Sequence, residues 1–371
     1  MVLQSGEEKT MRVLSIDVMR GIIMLLLAGE SCLLYFSLSE LRLPGFLHEL
    51  MQQFFHHPWH GLRFWDLVQP AFMLIAGTAM FYSLKSKKMR GVSWGRNFKH
   101  ILIRSLKLFL FGTALHCVYA GKMVWELWNV LTQLSITTII AYLIIERSVQ
   151  FQLAISVILL ILTEVLYRTV LMPGFEHPFE EFHNFGAWFD TILMGKINPD
   201  GWVTINFVPT AAHTIWGVVA GRVLTASSSS GKKVLKLVTF GVILLLCGFA
   251  LDLSQVTPII KRISTSSFVL ASGGWVLLIL AFVYWLTDVK GLSRCSWIFV
   301  SIGMNAIFIY LFFETVGHEW LLPVVGIFTR GVAELLSLSA PVTAVFTSLL
   351  TLAIEWYICY WLYSKKVFIK L

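Results

Sequence analysis

Residues 64–84 read FWDLVQPAFMLIAGTAMFYSL, a run in which Asp66 is the only charged side chain. An apolar stretch of about 20 residues crosses the roughly 30 Å hydrocarbon core of a bilayer as one helix. The next stretch is opposite in character: Lys85, Lys87, Lys88, Arg90, Arg96, Lys99, Arg104 and Lys107 arrive without one acidic residue among them. Lys and Arg are retained on the cytoplasmic side of short loops, so an apolar span running into this cluster reads as a membrane helix that ends in the cytoplasm.

The rest of the chain repeats the pattern. Of its 371 residues 57% are hydrophobic and 13% charged, against about 25% charged in soluble domains, and the mean hydropathy is +0.76. A water-soluble fold is excluded on that balance. Mostly apolar runs of spanning length fall near 14–36, 64–84, 101–120, 129–145, 151–171, 206–224, 234–252, 267–286, 296–316 and 342–363. The expected fold class is therefore an all-α polytopic bundle of about ten transmembrane helices. An eleventh apolar stretch, 317–341, is interrupted by Pro323, Gly326, Arg330 and Gly331 and reads as re-entrant or interfacial. The whole chain, 1–371, reads as one membrane domain, with a polar N-terminal segment at 1–12 and a long outer loop at 172–205.

Alternation from the first basic loop puts Arg222, Lys232, Lys233 and Lys236 inside, then Lys290 and Arg294, then Lys365, Lys366 and Lys370. Both termini are expected in the cytoplasm. The 172–205 loop falls outside and carries Glu176, Glu180, Glu181, Asp190 and Asp200 against Lys196 alone. The net charge of +8 comes from this loop chemistry, so no nucleic acid is needed to explain it. Cys32, Cys117, Cys247, Cys295 and Cys359 are odd in number, scattered and without a CxxC pair, which gives neither a disulfide framework nor a metal knuckle. The run beginning near Val13 lacks a small-residue cleavage site and reads as a retained first helix.

Charged groups inside a bilayer face a bundle interior or an aqueous cavity. Asp17 and Arg20, three apart on the first span, share a helix face and can pair. Glu30 lies about 7 Å beyond the middle of that span at 1.5 Å per residue and needs a partner or a water-filled site. The next loop contains His56-His57-Pro58-Trp59-His60-Gly61, with Asp66 close behind. Three imidazoles so close together admit a general base, a transient acyl carrier, a metal site or plain interfacial side chains. Pro58 disfavours the helical turn that would bring His56 and His60 together on a metal, and no metal is expected. His116, His177, His183, His213, Lys261 and His318 read as interfacial, with Lys261 snorkelling. The fourteen tryptophans read as interfacial anchors rather than a sugar-stacking platform.

The segment Leu14-Ser15-Ile16-Asp17-Val18-Met19-Arg20-Gly21 resembles the Ser-x-Asp-x-x-Arg-Gly opening of the heparan-α-glucosaminide N-acetyltransferase family and its bacterial relatives. His56-His57-Pro58-Trp59-His60-Gly61-Leu62, Asp66-Leu67-Val68-Gln69-Pro70 and Gly77 come after it at family-like spacing. Further on, Asn198-Pro199-Asp200-Gly201, Ser264-Thr265-Ser266-Ser267-Phe268 and Gly303-Met304-Asn305 are similar to family motifs, so that the resemblance covers about 11–365.

The resemblance implies an enzyme that moves an acetyl group from cytosolic acetyl-CoA to an amino sugar or related glycan acceptor across the membrane. It selects His56, three residues before the motif Trp, as the catalytic histidine, assisted by Glu30 (or Ser31) and Asp66. It puts Arg20, Lys261, Ser266 and Asn305 in the set expected to hold the donor. It also implies a multi-pass protein of a bacterial inner membrane, with a homodimer allowed, and without the extra lumenal domain of the animal lysosomal enzyme. Val130-Leu131-Thr132-Gln133 stands where the family reads Val-Leu-Gln-Arg, a departure that costs a cation. A transporter or channel using the same polar cavity is the alternative, and a non-catalytic membrane partner protein the third reading.

Overall fold

The computed structural model describes residues 13–369; the polar 1–12 segment and Lys370 lie outside the described residues. The chain runs through α1 (Leu14–Ser31), two short helices α2 (Leu34–Ser39) and α3 (Gly45–Gln52), then α4 (Val68–Met89), α5 (Trp94–Ala120), α6 (Val130–Leu143) and α7 (Val149–Thr169). It continues with α8 (Phe185–Met194), α9 (Phe207–Thr225), α10 (Ser230–Leu253), α11 (Ser266–Tyr284), α12 (Ser296–Gly303), α13 (Ala306–Phe312), α14 (Leu322–Leu335) and α15 (Ala340–Ser364). Among the described residues no β-strand forms; His60 with Ile260 and Met172 with Phe175 make isolated bridges.

Seven helical runs among the described residues are long and apolar enough to cross a membrane: Phe64–Met89, Trp94–Ala120, Val149–Thr169, Ser230–Leu253, Ser266–Val289, Ala306–Leu335 and Ala340–Ser364. Three further expected spans correspond to α1, α6 and α9, which differ for a physical reason. They carry the polar side chains that face the inside of the bundle, and α6, at 14 residues, rises only about 21 Å. Its C-terminal carbonyls are met by side chains: Gln152 Nε2 donates to Ile144 O at 2.9 Å and Ile145 O at 3.0 Å. Arg222, one of the expected topology markers, donates to Arg147 O at 2.9 Å from α9 and thereby helps to close the same end.

The centre of the bundle is the crossing of α4 with α9, flanked by α11 and α1. A Cβ added to Gly77 would sit 2.0 Å from Thr214 O, and one added to Gly217 would sit 2.0 Å from Leu74 O. Only glycine lets these two backbones touch. Thr78 Oγ1, 2.9 Å from both Leu74 O and Gly217 O, ties the helices at that point. Met73, Leu74, Trp216, Phe268 and Leu277 pack around it, each at most 2% exposed.

The C-terminal third departs from the expected spans. The 296–316 segment is broken between Gly303 and Ala306, where Asn305 leaves the helical region at φ −115°, ψ 32°. The helix then runs unbroken as Ala306–Leu335 and absorbs most of the stretch expected to be re-entrant or interfacial. Pro323 is tolerated there because residues Phe313–Leu321 are wound as π-helix and the proline falls at the start of α14. A widened turn removes the need for the N–H that proline lacks.

Candidate active site

Asp66 is the anchor of the site. It sits in the 3-10 turn Phe64–Leu67 that leads into α4, and its side chain accepts from the backbone N–H of Arg63 at 2.9 Å and of His57 at 3.3 Å through Oδ2. Those bonds close the turn and aim Oδ1 at His56, whose Nδ1 lies 3.0 Å away. Asp66 is fully buried, and a buried carboxylate needs a cation. Lys261, 4% exposed, supplies it at 3.5 Å from Oδ1 and stands 3.0 Å from His56 Nδ1.

Lys261, 205 positions from His56 in the chain, is brought there by loop-to-loop pairing. Gly61 N donates to Ile259 O at 2.8 Å and His60 bridges Ile260, so the histidine loop and the loop before α11 lie side by side. Lys261 is therefore an internal ion-pair partner and not a snorkelling residue. Burial and the adjacent Lys261 ammonium push the His56 imidazole down to about 4, against the pull of Asp66. Burial also brings Lys261 down to about 8, while Asp66 and Glu30 resist the fall.

The long 172–205 segment folds over the site. Asn198 Oδ1 accepts from Asp200 N at 2.8 Å and Trp202 N at 3.4 Å, the local bonding that makes Asn a turn former. This turn swings Trp202 edge-on to His56, with ring centroids 5.3 Å apart, and lays its face 5.5 Å from Lys261 Nζ. Trp59 Nε1 donates to Phe179 O at 2.8 Å and Arg262 pairs with Glu181 at 3.0 Å, pinning the roof to both loops beneath it.

Under this roof is a cavity of about 320 Å³ bordered by Glu30, His56, Lys261, Asp200 and the rings of Trp65, Trp128 and Trp202. Three tryptophans expected as membrane anchors are thus cavity walls. Gln133, in place of the family cation, accepts from Gln69 Nε2 on the same wall. Tyr119 and Tyr310 also line it; nothing in their sequence context marks them out.

A second cavity, about 650 Å³, opens from the other end of the bundle and is bordered by Arg20, Lys87, His100, Arg104, Lys107 and Asn305. Phe72 of α4 borders both cavities. Asp17 holds Arg20 at 3.5 Å, and Asn305 is tied to the tail by bonds with Val367 O and Ile369 N. Of the residues expected to hold a donor, Arg20 and Asn305 border this cavity and Lys261 the other. Ser266 borders neither: its hydroxyl donates to Leu160 O at 3.2 Å inside the packed helices.

Two histidines expected at an interface are instead structural. His213 is fully buried, with Nε2 3.0 Å from Val269 O, and His318 Nδ1 donates to Ser31 O at 2.8 Å. His60 faces away from the cavity, 2.7 Å from Asp252. Among the described residues no group of three or more His, Cys, Asp or Glu is placed to hold a metal ion.

A family model described as heparan-alpha-glucosaminide N-acetyltransferase, catalytic, matches residues 12–251. The heparan-alpha-glucosaminide N-acetyltransferase of Homo sapiens is 26% identical in an alignment 332 positions long that takes in 72% of this chain and 48% of the human protein. The chain thus spans about half the length of that curated relative. The family match holds the Asp66–His56 pair, Glu30, the roof turn at 198–202 and most of the basic cavity, and on that extent the chain belongs to the heparan-alpha-glucosaminide N-acetyltransferase catalytic-domain family.

Proposed function

We propose that this protein transfers an acetyl group from acetyl-CoA, bound in the basic cavity, to an amino-sugar acceptor in the cavity under the roof. The observation that carries the reading is that the two cavities enter from opposite ends and share the Phe72 wall. One offers Arg20, Lys87, Arg104 and Lys107, the chemistry that phosphates of a CoA require. The other offers a neutral imidazole beside a carboxylate, with acids and indole rings suited to a cationic sugar. In this reading the basic end faces the cytoplasm and the His56 end the outside of a bacterial inner membrane.

The ring of His56 has a defined task. His56 Nδ1 lies 3.0 Å from both Asp66 Oδ1 and Lys261 Nζ. In the tautomer that serves this reading Nδ1–H donates to Asp66 and the lone pair is kept on Nε2, while Lys261 turns its protons to Asp66 so that the carboxylate does not draw a second proton onto the ring. The imidazole then takes the acetyl group or the acceptor proton. Glu30 and Asp200 attract the ammonium form of the acceptor.

The test is thermal unfolding in detergent with and without CoA and acetyl-CoA, since a ligand bound to the native state raises Tm by mass action. Saturating CoA is expected to raise Tm in the wild type and much less in Arg104→Ala. No shift in the wild type sinks the reading. The same two cavities meeting at Phe72 would also serve a transporter; acetyl transfer to an acceptor panel in proteoliposomes, absent in a transporter, separates the two.

A further inference from the structure

The cavity under the roof contains a second histidine built like the first. His116, near the end of α5, has Nδ1 2.9 Å from Glu126 Oε2. The other oxygen of Glu126 is held by Lys196 Nζ at 2.7 Å, and Lys196 lies 5.9 Å over the Trp128 ring. Trp128 is itself fixed by donating to Asp190 Oδ2 at 2.6 Å. The order histidine, carboxylate, lysine repeats that of His56, Asp66 and Lys261, and both rings border the same 320 Å³ space. His116 Nε2 is buried and has no hydrogen-bond partner among the described residues. A buried ring nitrogen left unmatched at the wall of a polar cavity carries a desolvation cost that a ligand proton would relieve.

We infer that His116 is the base that deprotonates the acceptor's ammonium group, a role separate from that of His56. This rests on the acetyl-transfer reading above. An amino sugar near neutral pH is largely R–NH3+, which has no lone pair with which to attack a carbonyl. His116 Nε2 takes one proton and gives R–NH2. The amine nitrogen forms a bond to the acetyl carbon while the bond to the leaving group, the CoA sulfur or the His56 nitrogen, breaks. The second amine proton passes to that leaving group, by way of His56 Nε2 where the leaving group is the CoA sulfur, and His116 returns its proton to water. Glu126 stabilises the imidazolium, and Lys196 keeps Glu126 ionised and oriented. The other charged groups facing the space are Glu30, Asp200 and Lys261, with Tyr119 on the helix of His116 itself; the two acids hold the ammonium before the proton leaves.

The experiment compares two acceptors in proteoliposomes at a pH between their amine pKa values: glucosamine, mostly charged, and hydroxylamine, mostly free base, each corrected for the non-enzymatic reaction. In His116→Gln, glucosamine transfer should fall by about two orders of magnitude, the usual worth of a general base, with a much smaller loss for hydroxylamine. The glucosamine deficit should shrink as pH rises. Glu126→Gln should show the same selectivity more weakly, and CoA should still raise Tm in both variants, which reports that they fold. Equal loss on both acceptors makes His116 a structural residue and overturns the inference, as does no loss on either. A wild type that transfers to neither acceptor overturns the acetyl-transfer reading and this inference with it.

Discussion

The three clustered histidines show how little a residue's identity says without its partners. His60 is engaged with Asp252 and the His57 ring packs against Gly61, which leaves His56 to the cavity. His56→Ala should lower acetyl transfer by about two orders of magnitude or more, with His57→Ala and His60→Ala costing far less. Transfer by His56→Ala at near wild-type rate would exclude its role. The pH profile gives a second check. A neutral imidazole is required, and a ring held at about 4 stays neutral until the pH falls through that value. The acid limb should therefore lie well below the free-histidine range near 6.5. Lys261, held at about 8, loses its charge as pH rises through 8 and stops compensating Asp66, so an alkaline limb is expected there. Lys261→Arg should move that limb upward, because guanidinium keeps its proton. Removing one member of a buried pair costs about 3–5 kcal/mol. Lys261→Met and Asp66→Asn should each reduce stability by that order, and the double variant by clearly less than their sum. Additive losses in thermal unfolding would show that the two side chains do not interact.

At the level of elements, the π-wound part of the long C-terminal helix is the least conventional piece. It faces Glu355 of α15, which is fully buried with neither carboxylate oxygen hydrogen-bonded among the described residues. Glu355 Oε1 occupies the space that a side chain at position 317 would need, since a Cβ added to Gly317 would lie 2.2 Å from it. An unmatched buried polar group costs about 1–3 kcal/mol. Glu355→Leu removes the polar atoms and nearly preserves the volume, so it should raise the unfolding temperature by an amount worth about 1 kcal/mol. A fall in folded yield or Tm would instead mean that the carboxyl group is engaged in the native protein. Pattern reading could not find this helix. Pro323, Gly326 and Gly331 argue for a break, and only the widened turn and the packing of α14 against α15 remove it.

Over the whole molecule, the two cavities divide it into a basic end and a histidine end. Arg90 comes directly after α4 at the first, and Asp200 borders the roofed cavity at the second. In a variant stripped of Cys32, Cys117, Cys247, Cys295 and Cys359, a cysteine at 90 should react with an impermeant thiol reagent only from the cytoplasmic side. A cysteine at 200 should react from outside. Labelling in the reverse sense would invert the orientation and, with it, the side from which the proposed donor would enter.

The solvent in which this chain folds is legible along its length. Apolar runs of bilayer length and uncompensated basic loops are local properties, set by transfer free energy residue by residue, and they survive any tertiary arrangement. Glu30 and Asp66 also stand out, because an ionisable group in or beside a membrane helix is conspicuous, and so does the cluster of His56, His57 and His60, within which only the family resemblance selected His56. That Lys261 neutralises Asp66, that Trp202 and Trp128 turn inward, and that His116 shares the cavity of His56 come from the packing of the closed bundle. Each of these depends on loops pairing across tens to hundreds of positions, as Gly61 does with Ile259. A residue that will snorkel and one that will be buried against a carboxylate look the same in sequence. The difference is the free energy of a charge that has met its partner, and that partner is chosen only when the bundle closes.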